Sequence, residues 1–426
     1  MRTGATEVLV KLPVQFQTVL KCVPDYIIYS DLEENVEGHH TFDVLDQISD
    51  DYRRSAPEFS LYNKLRESGR EGLEYQTSFG SGPSGALDNP GWKLDKWKFL
   101  PMLDRALKHR PDAKWFVFIE PDTYMVWQNM LEYLGRFDPD EPHYIGTGMY
   151  IGEVLFAHGG SGFMISRPAM KMVMKYWKEN KDWFDEYTAK EWAGDMVLGR
   201  AMKDAGVPLF SASPHLQGGS LTGLDWTLNE NDKPVWCYAP LTFHHMTTRE
   251  FHMVWKFEDA WLHYKKGMKT LRFRDIFNGV VQAHLRSERG EWDNMSTGTE
   301  YSDEAYEKLP EEDKASLSEE ERKAQVSFGH CRAACESKPQ CIQFSFVPRK
   351  CIISNKLRLG HVAESQCLEY SQVAGKCIRT GKNGAQGDVP GKESSVRSGW
   401  IMTRVVEVLE KMDQACSVLE GSVWAT

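Results

Sequence analysis

The sequence predicts an α/β protein built on a mixed, mostly parallel sheet, followed by a small disulfide-rich α+β module. Trp115-Phe-Val-Phe-Ile-Glu-Pro-Asp-Thr-Tyr124 opens with five apolar residues and is cut off by Pro121, the form of a strand buried in a sheet covered on both faces. Helical patterns flank it: Trp92, Trp97, Leu100, Leu103 and Leu107 recur at helical spacing upstream, and a helix from about Trp127 to Leu134 follows. Far downstream, Cys331, Cys335, Cys341, Cys351, Cys367 and Cys377 crowd into under fifty residues, a density typical of a stapled unit in an oxidising compartment.

A chain of 426 residues exceeds one ordinary core, so two domains are expected. The composition shifts divide it into a first domain over 1–285, a charged linker over 286–325, the cysteine-rich module over 326–380, and a flexible segment with a terminal helix over 381–426. A net charge of −10 argues against a nucleic-acid-binding surface, which needs a basic footprint. The 14 tryptophans suit sugar rings, but large aromatics also fill cores. The cysteine spacings are irregular and lack a Cys-x-x-Cys pair; disulfides are expected, with a zinc site as the competitor. Asn294-Met-Ser296 is a glycosylation sequon in what reads as a polar loop. No apolar run of about 18 residues is present to cross a membrane, and no signal peptide is visible. The abrupt opening at Met1 leads us to expect that an N-terminal anchor and a first strand are missing.

Element by element, Tyr26 to Tyr29 reads as a strand and 77–91 as a Gly/Pro/Ser loop. Pro101 is expected to kink or break the helix that runs into strand 115–119. His158-Gly-Gly-Ser-Gly-Phe-Met-Ile-Ser166 joins a glycine turn to a strand, 169–180 is an amphipathic helix, and Ala193-Gly-Asp195 enters another helix. Pro240 to Met246 is a short strand ending in two histidines, and 400–418 a helix.

Pro121 pushes Glu120 toward an extended conformation, so Glu120 and Asp122 stand at a strand's carboxyl end, where open α/β sheets bind ligands. Acids at that spacing suit a hard divalent cation, which can in turn hold a diphosphate. Asp122 offers an oxygen and His244 a nitrogen, a pairing that manganese accepts. Asp195 is a third carboxylate at a loop–helix junction. Singly, each has a plainer explanation: a solvated turn, a core histidine, a helix cap.

Five segments, Trp92 to Lys96, Trp115 to Tyr124, Gly159-Gly-Ser-Gly-Phe163, Gly194-Asp-Met-Val-Leu-Gly199 and Thr242-Phe-His-His245, together resemble, in order, the motifs of glycosyltransferase family 31, nearest the core 1 β1,3-galactosyltransferases and the fringe enzymes. The likeness spans roughly 3–260. It implies a GT-A fold, a Rossmann-like sheet carrying an inverting, metal-dependent active site. It also implies a UDP-sugar donor, Mn2+ as cofactor, and a hexose, galactose in β1,3 linkage, moved to a glycan or glycoprotein hydroxyl such as N-acetylgalactosamine on Ser or Thr. By the motif match Asp122 and His244 hold the metal, and Glu120, Gly159 and Gly160 face the donor. Asp195 matches the catalytic base. The family works in the secretory pathway, as type II membrane proteins of the Golgi lumen. Two departures bear on the substrate: Glu-Pro-Asp replaces consecutive acids, and Gly194 stands where relatives carry a second acid.

Phe328-Gly-His-Cys-Arg-Ala-Ala-Cys335, Cys341-Ile-Gln-Phe-Ser-Phe346 and Cys351 resemble a PAN/apple module, which implies Cys331–Cys351 and Cys335–Cys341 bridges. The alternative to an enzyme is an inactive carbohydrate-binding or adhesion protein that uses this module. A glycoside hydrolase needs two carboxylates flanking the bond, and the strand-end acids stand too close for that.

Overall fold

The computed structural model describes all residues except 74–88, 231–232, 265–269, 364–366, 372–375, 381–395, 418–422 and 426. Most of the expected 77–91 loop and of the stretch over 380–398 expected to be flexible lies outside the described residues.

The first two thirds form mixed sheets flanked by helices. Trp115–Phe118 emerges as a strand, but its neighbour is antiparallel rather than parallel: it pairs with Phe163–Ser166, which pairs antiparallel with Tyr144–Gly146. Only Leu209–Ser211 adds a parallel partner to that four-stranded sheet. An apolar run signals burial on both faces and says nothing of the neighbour's direction. A smaller sheet holds Tyr124–Met125, Thr242–Phe243 and Leu216–Gln217. Met1–Thr3 runs beside Ile28–Ser30: Arg2 bridges Tyr29 in parallel, and the Arg2 N–H donates to the Ile119 carbonyl at 3.0 Å. The strand expected over Tyr26 to Tyr29 is thus Ile28–Ser30, two residues later.

The break expected at Pro101 falls earlier. Asn89 caps a short helix, Pro90–Leu94, by accepting from the Gly91 and Trp92 N–H groups. A 3-10 turn, Asp95–Trp97, intervenes, and the main helix is Phe99–His109. Pro101 lies in its first turn, where a missing N–H costs nothing. Trp127–Leu134 and Arg167–Glu179 are helices as expected.

The charged 286–325 stretch does not behave as a linker. Arg289–Gly290 and Thr299–Ser302 are the two edge strands of a five-stranded antiparallel sheet with Gln343–Val347, Lys350–Ser354 and Arg397–Trp400. Helix Phe328–Ser337 is stapled to this unit by Cys331–Cys351 and closed by Cys335–Cys341. Both pairings match the expectation and exclude a zinc site at those four cysteines. A third bridge, Cys237–Cys416, spans 179 residues and ties the terminal helix Met402–Ser417 to the first part of the chain. Trp226, Trp236 and Trp400 share one buried cluster with Tyr124 and Phe243, so the C-terminal sheet and the first part pack as a common core. Most buried tryptophans serve packing, as Trp97 also does; Trp192 and Trp183 stay exposed. Cys22 is free and exposed. No helix among the described residues is long and apolar enough to cross a membrane.

The sequon is overturned as a surface loop. Asn294 is fully buried, and its Nδ2 donates to the Phe344 and Gly399 carbonyls at 3.1 and 3.3 Å. A glycan needs that nitrogen and open space around it. Peptide mapping of the chain expressed in a glycosylating host is therefore expected to find Asn294 unmodified; a stoichiometric glycan on the folded protein would contradict this packing.

Candidate active site

Strand register builds the site. Thr242–Phe243 runs antiparallel to Tyr124–Met125 with Phe243 opposite Tyr124. Continuing that register sets Thr123 across from His244 and Asp122 across from His245, and the Met246 N–H closes the pair onto the Asp122 carbonyl at 3.0 Å. Two segments over a hundred residues apart thus deliver an acid and two imidazoles to one point. His244 Nε2 lies 3.4 Å from Asp122 Oδ1 and 3.6 Å from Glu120 Oε2. His245 Nδ1 lies 3.7 Å from Asp122 Oδ2, and the two rings stack at 3.7 Å. His245 reaches this place with a left-handed backbone, φ 56°, a conformation that costs a residue with a Cβ about 1–2 kcal/mol and that recurs at functional sites.

The glycine turn connects this cluster to Asp195. The Gly159 N–H donates to Asp195 Oδ2 at 2.9 Å, and the Met196 N–H donates to Oδ1 at 2.9 Å. Asp195 is the second residue of helix Gly194–Asp204, where the helix dipole favours negative charge. A Cβ on Gly160 would sit 2.1 Å from His244 Cε1, and one on Gly159 would sit 3.4 Å from Asp195 Oδ2. Consecutive Cα atoms are about 3.8 Å apart, so the imidazole and Asp195 flank one dipeptide. The imidazole leaves no room for a side chain at Gly160; at Gly159 the closer neighbour is the Phe99 ring at 3.1 Å, and Asp195 stands at ordinary contact distance. Gly194, likewise, has no room: its Cβ would meet Phe99 Cδ2 at 2.4 Å and Lys96 Cα at 2.6 Å, which accounts physically for the absence of a second acid there.

Sequence reasoning missed four groups, all from the first residues or the second histidine. Arg2 forms an ion pair with Glu120 and lies over the Phe99 ring at 4.0 Å. Lys11 Nζ sits 3.0 Å from Asp122 Oδ2 and 2.8 Å from Glu7 Oε2. Gln15, on the same helix Val8–Gln17, donates to the Pro121 and Thr123 carbonyls at 2.9 and 3.0 Å and buttresses the acid loop. His245 joins Asp122 and His244 in a trio whose donor atoms lie within 4.8 Å of one another. The Glu7–Lys11 spacing of four on a helical stretch was the one signal available in sequence.

These residues line one cleft of about 480 Å³, which contains Arg2, Lys11, Glu120, Asp122, Gly160, Asp195, His244 and His245. Burial alone would raise the Glu120 and Asp122 carboxyls, but Arg2 beside the first, Lys11 beside the second and His244 beside both hold them well below the usual range. Burial alone would lower His244; the Asp122 and Glu120 carboxylates outweigh it and push the imidazole up to about 9. Asp195 is raised, chiefly by burial. His158, which lies 5.6 Å from the His244 ring centroid, is lowered to about 4 by burial.

The donors fit a divalent cation. Asp122 Oδ1 and His244 Nε2 are buried 3.4 Å apart as an ion pair without a well-formed hydrogen bond, and His244 Nδ1 makes no hydrogen bond; an unsatisfied buried group costs about 1–3 kcal/mol, which a metal would relieve. A carboxylate oxygen with imidazole nitrogens suits a borderline dication such as manganese. Lys11 shares the Asp122 carboxylate, so such an ion would compete with an ammonium group for one oxygen.

A model of the family described as Fringe-like matches residues 97–218. The match holds Glu120, Asp122, the glycine turn and Asp195, and stops before His244 and the C-terminal sheet.

Two outcomes follow from this geometry. Gly160→Ala forces the His244 ring to move and is expected to weaken manganese binding at least about tenfold, read by calorimetry; unchanged affinity would show that the ring is not a ligand. Because His244 keeps its proton up to about 9 and a metal must displace it, affinity is expected to rise about tenfold per pH unit from 6 toward 9. The sign reverses for the metal-free fold: with the folded pKa above the unfolded value, the charged ring stabilises it fully below the unfolded pKa, and this contribution is lost as pH passes 9.

Proposed function

We propose that this chain is an inverting, metal-dependent glycosyltransferase that moves a hexose from a UDP-sugar to a glycan or glycoprotein hydroxyl, with galactose in β1,3 linkage as the first donor and product to test. One observation carries the reading: a carboxylate oxygen and an imidazole, buried 3.4 Å apart without a well-formed hydrogen bond, converge at a strand end on the floor of a cleft whose glycine turn also holds Asp195. The Fringe-like match over residues 97–218 supports it. Secretory-pathway, Golgi-lumenal location accords with the disulfides.

Asp122 and His244, with His245 beside them, would hold Mn2+. A cation there offsets the charge that builds on a diphosphate leaving group. Arg2 and Lys11 line the same cleft but are paired with Glu120, Asp122 and Glu7, so a bound cation would supply the positive charge that a nucleoside diphosphate needs in order to approach. Gly160 leaves no side chain between His244 and the cleft. Asp195 accepts the proton of the attacking hydroxyl. Its raised basicity suits that role, since a base works best with a pKa nearer the working pH. The two backbone N–H groups fix the carboxylate's orientation and leave each oxygen a lone pair.

The inactive-scaffold alternative explains less, because a dead site has no need for Asp122, Asp195 and His244 together in one cleft. A binding role for the PAN/apple-like unit is compatible with either reading.

Asp195→Asn is expected to keep UDP and manganese binding while turnover falls about 10²–10⁴-fold; turnover at the wild-type level would remove Asp195 from the mechanism. Asp122→Ala is expected to lose manganese-dependent UDP binding, and retained binding would refute the metal site.

A further inference from the structure

The cleft that holds Asp195 carries large aromatic faces that the reaction so far does not use. Trp192 is 58% exposed and Tyr150 69% exposed, and both line that cleft with Trp92 and Met149. Trp92 stacks behind Trp192, with ring centroids 6.1 Å apart and planes at 23°. Flat apolar faces held in water at the mouth of a cleft mark a surface built to be covered.

Trp192 is fixed in place. Lys96 Nζ, itself paired with Glu58 at 2.9 Å, donates to the Ala189 and Glu191 carbonyls at 3.1 and 3.0 Å and clamps the turn that carries the ring. Two residues on, Gly194 is wedged against Lys96 and Phe99, and Asp195 follows directly. The indole and the proton acceptor therefore share one mount. Tyr150 comes from a different element, the hairpin of Gly148–Ile151 and Val154–Ala157.

We propose that Trp192, backed by Trp92 and assisted by Tyr150, is the platform on which the acceptor lies, and that the acceptor is a pyranose ring of a glycan. The proposal rests on the transferase reading. A pyranose presents a face of C–H groups that stacks on an aromatic plane while its hydroxyls remain wet, and an amphipathic aromatic suits such a half-wet partner. A serine or threonine of an unglycosylated peptide offers no such face. With the ring so placed, one hydroxyl oxygen forms the new bond to the anomeric carbon of the donor. The bond from that carbon to the diphosphate oxygen breaks, the diphosphate leaves with the electron pair, and the hydroxyl proton passes to Asp195.

The test uses the full chain with manganese. UDP binding is measured first by calorimetry, without acceptor. UDP release from a panel of UDP-hexoses is then followed with p-nitrophenyl hexopyranosides or with an unglycosylated Ser/Thr peptide. The expected result is release with at least one glycoside, an acceptor KM raised about tenfold or more in Trp192→Ala, partial recovery in Trp192→Phe, and the same affinity for UDP in all three proteins. An unchanged acceptor KM in Trp192→Ala, or use of the bare peptide as readily as the glycosides, would overturn the platform and leave the transferase standing. Failure of the wild-type chain to bind UDP with manganese would overturn the transferase reading and the platform with it.

Discussion

Two carboxylates, Glu120 and Asp122, stand in a buried floor where neither can stay ionised without positive charge against it. Taking a charge out of water costs several kcal/mol unless it is matched. Arg2 answers Glu120, Lys11 answers Asp122, and His244 lies between them. Each of these cations comes from a different part of the chain, so the fold must bring the first residues, the helix Val8–Gln17 and the strand after Pro240 to one place. The balance is incomplete: Asp122 Oδ1 and His244 Nε2 face each other at 3.4 Å without a well-formed hydrogen bond, and His244 Nδ1 makes none. The site is stable enough to form and unsatisfied enough to bind.

Around that centre, packing follows from crowding. The imidazole presses on Gly160, so any side chain there would displace it, whereas the near neighbour of Gly159 is the Phe99 ring at 3.1 Å, with Asp195 at ordinary contact distance. Thr123 and Thr242 finish the turn from below, donating to the Gly160 and Ser161 carbonyls at 2.7 and 2.5 Å. The C-terminal sheet is no loose appendage. It shares a core with Tyr124 and Phe243 and is tied back through Cys237–Cys416, which places part of the support for the site more than a hundred residues downstream of it.

Much of this was legible because local rules dominate. A run of five apolar residues cut by proline makes a strand wherever it sits, and the helices at 127–134 and 169–180 follow from their periodicity. The Asp195 helix start and the His244–His245 strand end are local as well, and the two short-range disulfides followed from a motif likeness. What escaped was set by distant partners. The antiparallel neighbour of Trp115–Phe118 is a matter of topology, which an apolar run does not encode. Arg2 and Lys11 look like ordinary surface cations until the fold sets them beside Glu120 and Asp122. The polar 286–325 stretch hides edge strands because they are short and carry polar residues such as Arg289, Thr299, Glu300 and Ser302, so their composition resembles a linker. Asn294 looked like an exposed sequon because asparagine is usually outside, yet here its amide serves two carbonyls in the core.

The central claim is that a dication sits between Asp122 and His244. Crystals grown with manganese and UDP, with data collected at the manganese absorption edge, test it most directly. The account predicts a single strong anomalous peak within bonding distance of Asp122 Oδ1 and His244 Nε2, with the diphosphate on its open side. A peak elsewhere, or Asp122 still held by Lys11 with no metal beside it when UDP is bound, would contradict it.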